Sequence, residues 1–452
     1  MKLPFVPQRE CQWSNPSRRA CDGICARRVE CFLIFLKTQK PHPIMFKNYN
    51  PPTLADIRKD STLSTFIAPF IANLAGYGGP LAIVIGAAQA GMLTTEQTTS
   101  MLCILSITFG LASLVLSYLT RAPIITAWST PGAAFLISAL PTVTYNEAIA
   151  GFIIANGIIF AIAASGMFDT VMNKLPKSIA AALLAGILFR FGVNTFASLG
   201  SDTALMLVML AAYVLGKRWL PRYATLAVLI VGCAYVFGWQ GVSVPHVPLH
   251  LSSVVWTAPE FSFNALINIG LPLALITLTG QQITGIAVLR TSGYSARQAP
   301  AKLLVGLTAL LSTLTAPFGN FGINLAAITA AICTEKSCHP DPAKRYVAGL
   351  WYGVLNLIIG ALAGVLVVFF LALPKALITI LAGLALLGAI LSNISNAFHA
   401  DFSVTDREAA LVTFMTCASG VTLWQMGSAF WGIVLGCITY AVFHWRVQGA
   451  HK

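Results

Sequence analysis

The chain has 452 residues, of which 57% are hydrophobic and only 10% charged. Soluble domains carry about 25% charged residues, so this composition excludes one and points to a polytopic membrane protein. A formal charge of +13 would suit a nucleic-acid partner, but eleven of the 28 Lys and Arg lie in the first 60 residues and the rest sit mainly in short loops, which argues against one.

Residues 1–44 mix Arg, Cys, Pro and Gln and hold Cys11, Cys21, Cys25 and Cys31. The apolar run Cys31–Leu36 is too short and wrongly flanked for a signal peptide. The segment reads as a disordered basic extension, or as the product of an upstream start with Met45 as the better one; residues 1–60 together form a lead-in. No disulfide framework is visible, and Cys333 with Cys338-His339 imitates a metal motif without a fourth ligand.

From Asp60 onward, apolar runs of the roughly 20 residues that a spanning helix needs recur. They lie at about 62–90, 98–119, 122–140, 147–167, 176–195, 202–217, 221–238, 262–289, 299–316, 317–333, 346–371, 374–396, 408–423 and 425–444. The prediction is an all-α fold of fourteen transmembrane segments, the third and tenth broken. Residues 61–238 form a first seven-span half, 239–261 (with His246 and His250) a connecting loop, 262–445 a second half and 446–452 a tail. With the N-terminus cytoplasmic, the loops holding Arg121, Lys174, Lys217, Arg218, Arg290, Arg297, Lys336, Lys344, Arg345 and Arg407 are all inside, while Glu96, Glu147 and Glu260 fall near the outer side. That is the asymmetry of the positive-inside rule, and it places both termini in the cytoplasm.

The halves resemble each other. Leu175-Pro176-Lys177 returns as Leu373-Pro374-Lys375, Pro69 as Pro272, and Pro131 is matched with Pro317. A shift of seven spans inverts the second copy, which makes Lys375 an outside exception to the charge rule. Inverted repeats are the architecture of many secondary carriers.

Two apolar stretches are interrupted at mid-membrane depth, by Trp128-Ser129-Thr130-Pro131-Gly132 and by Pro317-Phe318-Gly319-Asn320-Phe321-Gly322. Non-helical backbone is tolerated there only where it is buried in protein or lines a cavity, and paired breaks point to a carrier's binding site. Helices starting just after the breaks would aim unpaired N–H groups and positive dipole ends at one another, an anion site without Arg or Lys. Ser129 and Thr130 offer hydroxyls, Gly132, Gly319 and Gly322 allow close approach, and Asn320 or Asn324 adds an amide. Each polar residue taken singly suits helix–helix packing equally well. In the eighth span Gln281 and Gln282 lie about 100° apart on a helix, so one of them faces the site, and Gln281 is the choice. Tyr77 stands in the turn Gly76–Pro80, and Trp128, Phe318 and Phe321 supply flat apolar surface. The set suits a small, flat, mostly apolar molecule with one carboxylate. No Asp or Glu stands at mid-span; Arg190 is the one charge well inside a span, suited to snorkelling or to a gate. No nucleophile–base pair shares a depth, which speaks against an enzyme, and no continuous polar stripe favours a channel.

With these residues in place, the chain resembles the benzoate:proton symporter family over about residues 60–445. The resemblance rests on TAWSTPGAA (126–134), PFG followed by AAITAAIC (317–333), LPKSIAAALLAGILFRFG (175–192) and GSAFWGIVLG (427–436). The family is similar in architecture to nucleobase and sulfate-type anion carriers. The resemblance implies two inverted sets of seven spans, with spans 1–4 and 8–11 a core and the rest a gate. It also implies import of benzoate or a related aromatic carboxylate with protons across a bacterial inner membrane. No cofactor is implied beyond the coupling proton, the surroundings are membrane lipid, and a homodimer is an open oligomeric option. The nucleobase branch is similar but uses glutamates where this chain has Gln281 and Ile323, which favours an anion and leaves the proton relay unassigned. Another small organic or inorganic anion is the alternative substrate.

Overall fold

The computed structural model describes residues 51–168, 176–200, 202–221, 223–243, 251–424 and 426–449. The extension 1–44, Lys174, His246 and His250 lie outside these residues, and so do the expectations attached to them.

Helix α1 (Leu54–Asp60) opens on a capping box between Thr53 and Asp56. The first long apolar segment is divided into α2 (Leu63–Gly78) and α3 (Pro80–Ala90), because Gly79 leaves helical geometry and Pro80 suits a first helical turn. Then come α4 (Thr95–Thr120), β1 (Thr126–Trp128), α5 (Thr130–Ala139), α6 (Tyr145–Ala164), α7 (Lys177–Ala197), α8 (Thr203–Trp219) and α9 (Ala224–Ala234). The same order recurs. Helix α10 (Phe263–Thr291) carries π-turns at Leu266–Gly270 and Leu278–Gln282. It is followed by α11 (Ala301–Thr315), β2 (Ile323–Leu325), α12 (Ile328–Thr334), α13 (Tyr346–Ala361), α14 (Ala363–Leu371), α15 (Lys375–Ala397), α16 (Val404–Ser419) and α17 (Ser428–Gly449). Among the described residues, eight helical stretches are long and apolar enough to cross a membrane, and the bent pair α13–α14 makes a ninth. The fold is all-α and polytopic around one short ribbon.

In that ribbon β1 and β2 run antiparallel, pairing Thr126 with Leu325, Ala127 with Asn324 and Trp128 with Ile323. Ile323 follows Thr126 by 197 residues, and this shift maps the pairing onto itself, as a two-fold relation between the halves requires. The surrounding groups recur in the same order at slightly longer offsets. Ser113 on α4 accepts the Thr126 N–H at 3.0 Å, and Ser312 on α11 accepts the Ile323 N–H at 2.9 Å. Arg121 and Gly319, 198 residues apart, end their helices with left-handed φ of 48° and 99°.

This register corrects the matching of Pro131 with Pro317. Pro317 and Gly319 belong to the tight turn that follows α11, with the Gly319 N–H bonded to Ala316 O at 2.8 Å, and the residue equivalent to Pro131 is Ile328 at the start of α12. The expected span over 346–371 is broken rather than continuous: the chain bends by 61° between α13 and α14. Ser252 of the connector enters that bend, donating its N–H to Ala361 O at 2.8 Å and accepting the Gly364 N–H at 2.8 Å. The described part of the connector from 251 on has no regular helix before Phe263 and is stitched further along through Val255 N–H to Ser100 Oγ at 2.9 Å.

Candidate substrate-binding site

A cavity of about 1190 Å3 leads from the ribbon to the surface. Four interruptions of regular helix converge on it: the α2–α3 break, through Gly76 and Tyr77 in the last turn of α2 and Pro80 at the start of α3, the start of α5 at Thr130 and Pro131, the second π-turn of α10 at Gly280 and Gln281, and the start of α12 at Ala327 and Thr329. Its mouth lies among the exposed side chains of Lys177, Lys217, Glu335 and His399.

The π-turn separates the two glutamines. Gln282 is fully buried; its Nε2 donates to Thr308 Oγ1 at 3.2 Å and its Oε1 accepts the Leu325 N–H at 3.4 Å. Gln281 lines the cavity, and its carboxamide has no hydrogen-bond partner among the described residues. The Thr130 hydroxyl stands on the cavity wall in the same condition. Aromatic rings form the rest of the deep wall. Trp128 meets Tyr77 edge to face with centroids 4.9 Å apart and Phe109 at 5.7 Å, and Tyr352 lies 6.2 Å from Phe109. The Tyr77 hydroxyl is fixed 2.7 Å from Ser106 Oγ and 3.1 Å from Asn356 Oδ1. Phe109, Thr329 and Tyr352 were not singled out from the sequence. Nothing marks Phe109 and Tyr352 within their apolar helices, and Thr329 corresponds to Gly132 only across the 197-residue shift that the strand pairing fixes.

Eight expected site residues lie off the cavity wall. Ser129 is buried as the N-cap of α5 and accepts the Gly132 N–H at 3.0 Å. Gly132 is enclosed, since a Cβ there would meet Ser129 Oγ at 2.8 Å and Leu273 at 3.0 Å. Asn324 is buried in the ribbon. Phe318 packs on Trp256 of the connector at 5.4 Å. Gly319, Asn320 and Gly322 form the turn after α11, where Asn320 Nδ2 donates to Thr315 Oγ1 at 2.7 Å and its Oδ1 accepts the Gly322 N–H at 2.9 Å. Phe321 packs on Phe152 at 6.2 Å. The physical reason is common to the second break: a strand lies between Pro317–Gly322 and the helix expected directly after them, so Ala326–Thr329 provide that wall instead.

Glu335 is the only acid on the cavity wall among the described residues, and it stands at the mouth. The loop behind it is held by buried Arg345, which donates to Thr334 O at 2.6 Å and His339 O at 2.7 Å. Cys333 and Cys338 are both buried, and burial pushes the Cys338 thiol up to about 11. His339 Nδ1 accepts the Asp341 N–H at 3.0 Å. No group of three metal-ligating side chains occurs among the described residues.

Residues 59–442 match the family model described as benzoate membrane transport protein, BenE. The chain belongs to this family. It is 39% identical over 391 residues to the benzoate membrane transport protein of Acinetobacter baylyi, covering 86% of this chain and 97% of that one. It is also 39% identical over 380 residues to the inner membrane protein YdcO of Escherichia coli, covering 84% and 96%. Among solved structures, murine Slc26a9, an anion transporter in the inward-facing state, matches with a TM-score of 0.61 at 14% identity over 97% of this chain and 77% of that one. The transmembrane domain of the cyanobacterial bicarbonate transporter BicA matches with a TM-score of 0.54 at 12% identity over 87% and 99%. These two likenesses concern the fold. Family membership makes the protein a multi-pass membrane transport protein and not an enzyme.

Proposed function

We propose that this BenE-family member is a secondary active transporter that imports benzoate or a related aromatic carboxylate together with protons across a bacterial inner membrane. The observation that carries the reading is the convergence of a Gln281 carboxamide and a Thr130 hydroxyl, both without a hydrogen-bond partner among the described residues, with the rings of Tyr77, Phe109, Trp128 and Tyr352 on one cavity. A flat ring fits between aromatic walls, and a carboxylate accepts hydrogen bonds from the amide and the hydroxyl. The start of α5 adds the positive end of a helix dipole. No acid stands on the deep wall among the described residues to repel the anion. The name of the Acinetobacter relative supports the substrate class.

The recurring element order supports fourteen spans in two inverted sevens. Helices α2 to α6 and α10 to α14 then form a core, and α7 to α9 with α15 to α17 a gate. The loop charges orient both termini to the cytoplasm, so the open mouth at Lys177 and Lys217 faces inward. The coupling proton is assigned to no residue. The test is uptake of labelled benzoate into proteoliposomes under an imposed proton gradient. Accumulation that saturates, collapses with an uncoupler and resists competition by uracil supports the reading; competition by uracil stronger than by unlabelled benzoate overturns it.

A further inference from the structure

We propose that Arg190 is the anion-capturing residue of a second entrance, closed in this structure, at the opposite end of the core–gate seam from the open mouth. Lys177 at the start of α7 borders the open cavity, and Arg190 lies thirteen residues further along the same helix. At 1.5 Å per residue that is roughly 20 Å away, still within a hydrocarbon layer of about 30 Å. An ionised side chain at such depth is costly and is ordinarily paired or functional. Arg190 makes no hydrogen bond or ion pair among the described residues. Its guanidinium lies across Gly420, where a Cβ would stand 2.0 Å from Nη1, and the φ of +67° at Gly420 also favours glycine there.

Beside Arg190 a small space of about 30 Å3 is lined from the core by Ser138, Thr142 and Asn268, and from the gate by Thr422 and Ser428. This is room for about one water. The two sides are latched across it, because Asn268 Oδ1 on the core accepts the Gly427 N–H at 2.8 Å, while the Asn268 amide is held within α10 by donating to Asn264 Oδ1. Helix α5 connects the two ends: Thr130 at its start faces the open cavity, and Ser138 near its end faces the small space. If the seam parts on this side, the core residues that hold the anion become reachable past Arg190. A lone cation at that opening would concentrate carboxylates before they reach Gln281 and Thr130.

The inference rests on the proposed anion-carrier reading, and the test separates the two. Benzoate transport by wild type, Arg190→Gln and Arg190→Lys is measured in intact cells, where substrate enters from the Arg190 side, and in inverted vesicles, where it enters from the Lys177 side. Expected for Arg190→Gln is a rise of about tenfold in KM from the Arg190 side with kcat within twofold, and an unchanged KM from the Lys177 side. Raising ionic strength should increase the wild-type KM from the Arg190 side, this increase should be lost in Arg190→Gln, and Arg190→Lys should recover most of the loss. Benzoate binding to purified protein should be equal in all three, which also shows that the variants fold. An equal KM change from both sides, or no change from either, overturns the role of Arg190, with snorkelling to lipid as its remaining use. Absence of saturable wild-type transport in both preparations overturns the carrier reading and this inference with it.

Discussion

Asn324 and Ser129 lock the two broken segments together. With the amide oriented by its hydrogen bonds, the Asn324 oxygen accepts the Ser129 N–H at 3.1 Å and the nitrogen donates to Leu325 O at 3.3 Å. An extended backbone inside a membrane protein must have its polar groups satisfied by protein. Here strand pairing, Ser113, Ser312, Gln282 and Asn324 supply those partners. Polar residues that look like substrate ligands in the sequence are therefore consumed in building the floor of the site.

Ser129→Ala should accordingly lower stability more than affinity. Losing an N-cap costs about 1 kcal/mol, so the thermal midpoint of the purified protein should fall while the benzoate Kd moves less than threefold. Thr130→Ala should show the reverse pattern. Paired melting and binding measurements decide it, and a larger Kd change for Ser129→Ala would return that residue to the substrate.

What the sequence revealed and what it hid follow from the same ribbon. Spans were legible because apolar length and loop charge are local properties, and the predicted edges of α4, α7 and α15 lie within a few residues of the observed ones. The break before α5 was legible because Ser129, Thr130 and Pro131 are strong start signals. The second break was misplaced because α12 starts at Ala327 and Ile328, which carry no capping side chain, while the conspicuous Pro317–Gly322 serves the turn at the end of α11. Only pairing between distant strands fixes that register, and pairing is not written in local sequence. Phe109 and Tyr352 were hidden for a related reason: a ring on an apolar helix shows its facing side only once its neighbours are packed.

Trp128 should be the main apolar anchor. It is 4% exposed and stands edge to face with both Tyr77 and Phe109, so Trp128→Ala opens the wall on which a substrate ring would lie. Benzoate affinity should fall at least tenfold, and a non-aromatic carboxylate such as acetate should be affected far less. Equal losses for the two acids would remove the ring-stacking role.

Asp56 gives a pH dependence of defined sign. Hydrogen bonding from the Thr53 backbone, together with the Thr53 side chain and Arg121 at 2.9 Å, holds its carboxyl below the ordinary value of 3.8. A carboxyl lowered on folding contributes stability that is complete above its unfolded value and disappears as pH falls through the folded one. The difference in melting temperature between wild type and Asp56→Asn should therefore be constant from about pH 7 to pH 5 and shrink below 3.8. A difference that grows on acidification would contradict the anchoring of α1 by this carboxylate.

The adjacent glutamines offer the sharpest comparison, because the π-turn gives them different surroundings. Gln282→Leu removes the side-chain acceptor of the buried Leu325 N–H, so it should cost about 1–3 kcal/mol of stability while leaving binding in the surviving protein nearly unchanged. Gln281→Leu deletes a carboxamide that bonds nothing in the protein among the described residues. Stability should hold, and benzoate affinity should fall roughly tenfold or more, as the loss of one hydrogen bond to a charged group requires. Gln281→Glu places a second carboxyl beside the bound one. Its ionised form repels the substrate and its protonated form can donate to it, so the Kd should rise steeply with pH as the new carboxyl loses its proton, whereas the wild-type Kd should change little. Benzoate dissociation constants of the three variants at pH 6 and pH 8, read beside their melting temperatures, test all of this together. If Gln282→Leu impairs binding more than Gln281→Leu, the residue facing the substrate has been misidentified; if Gln281→Glu binds benzoate equally at both pH values, the carboxylate does not lie against α10.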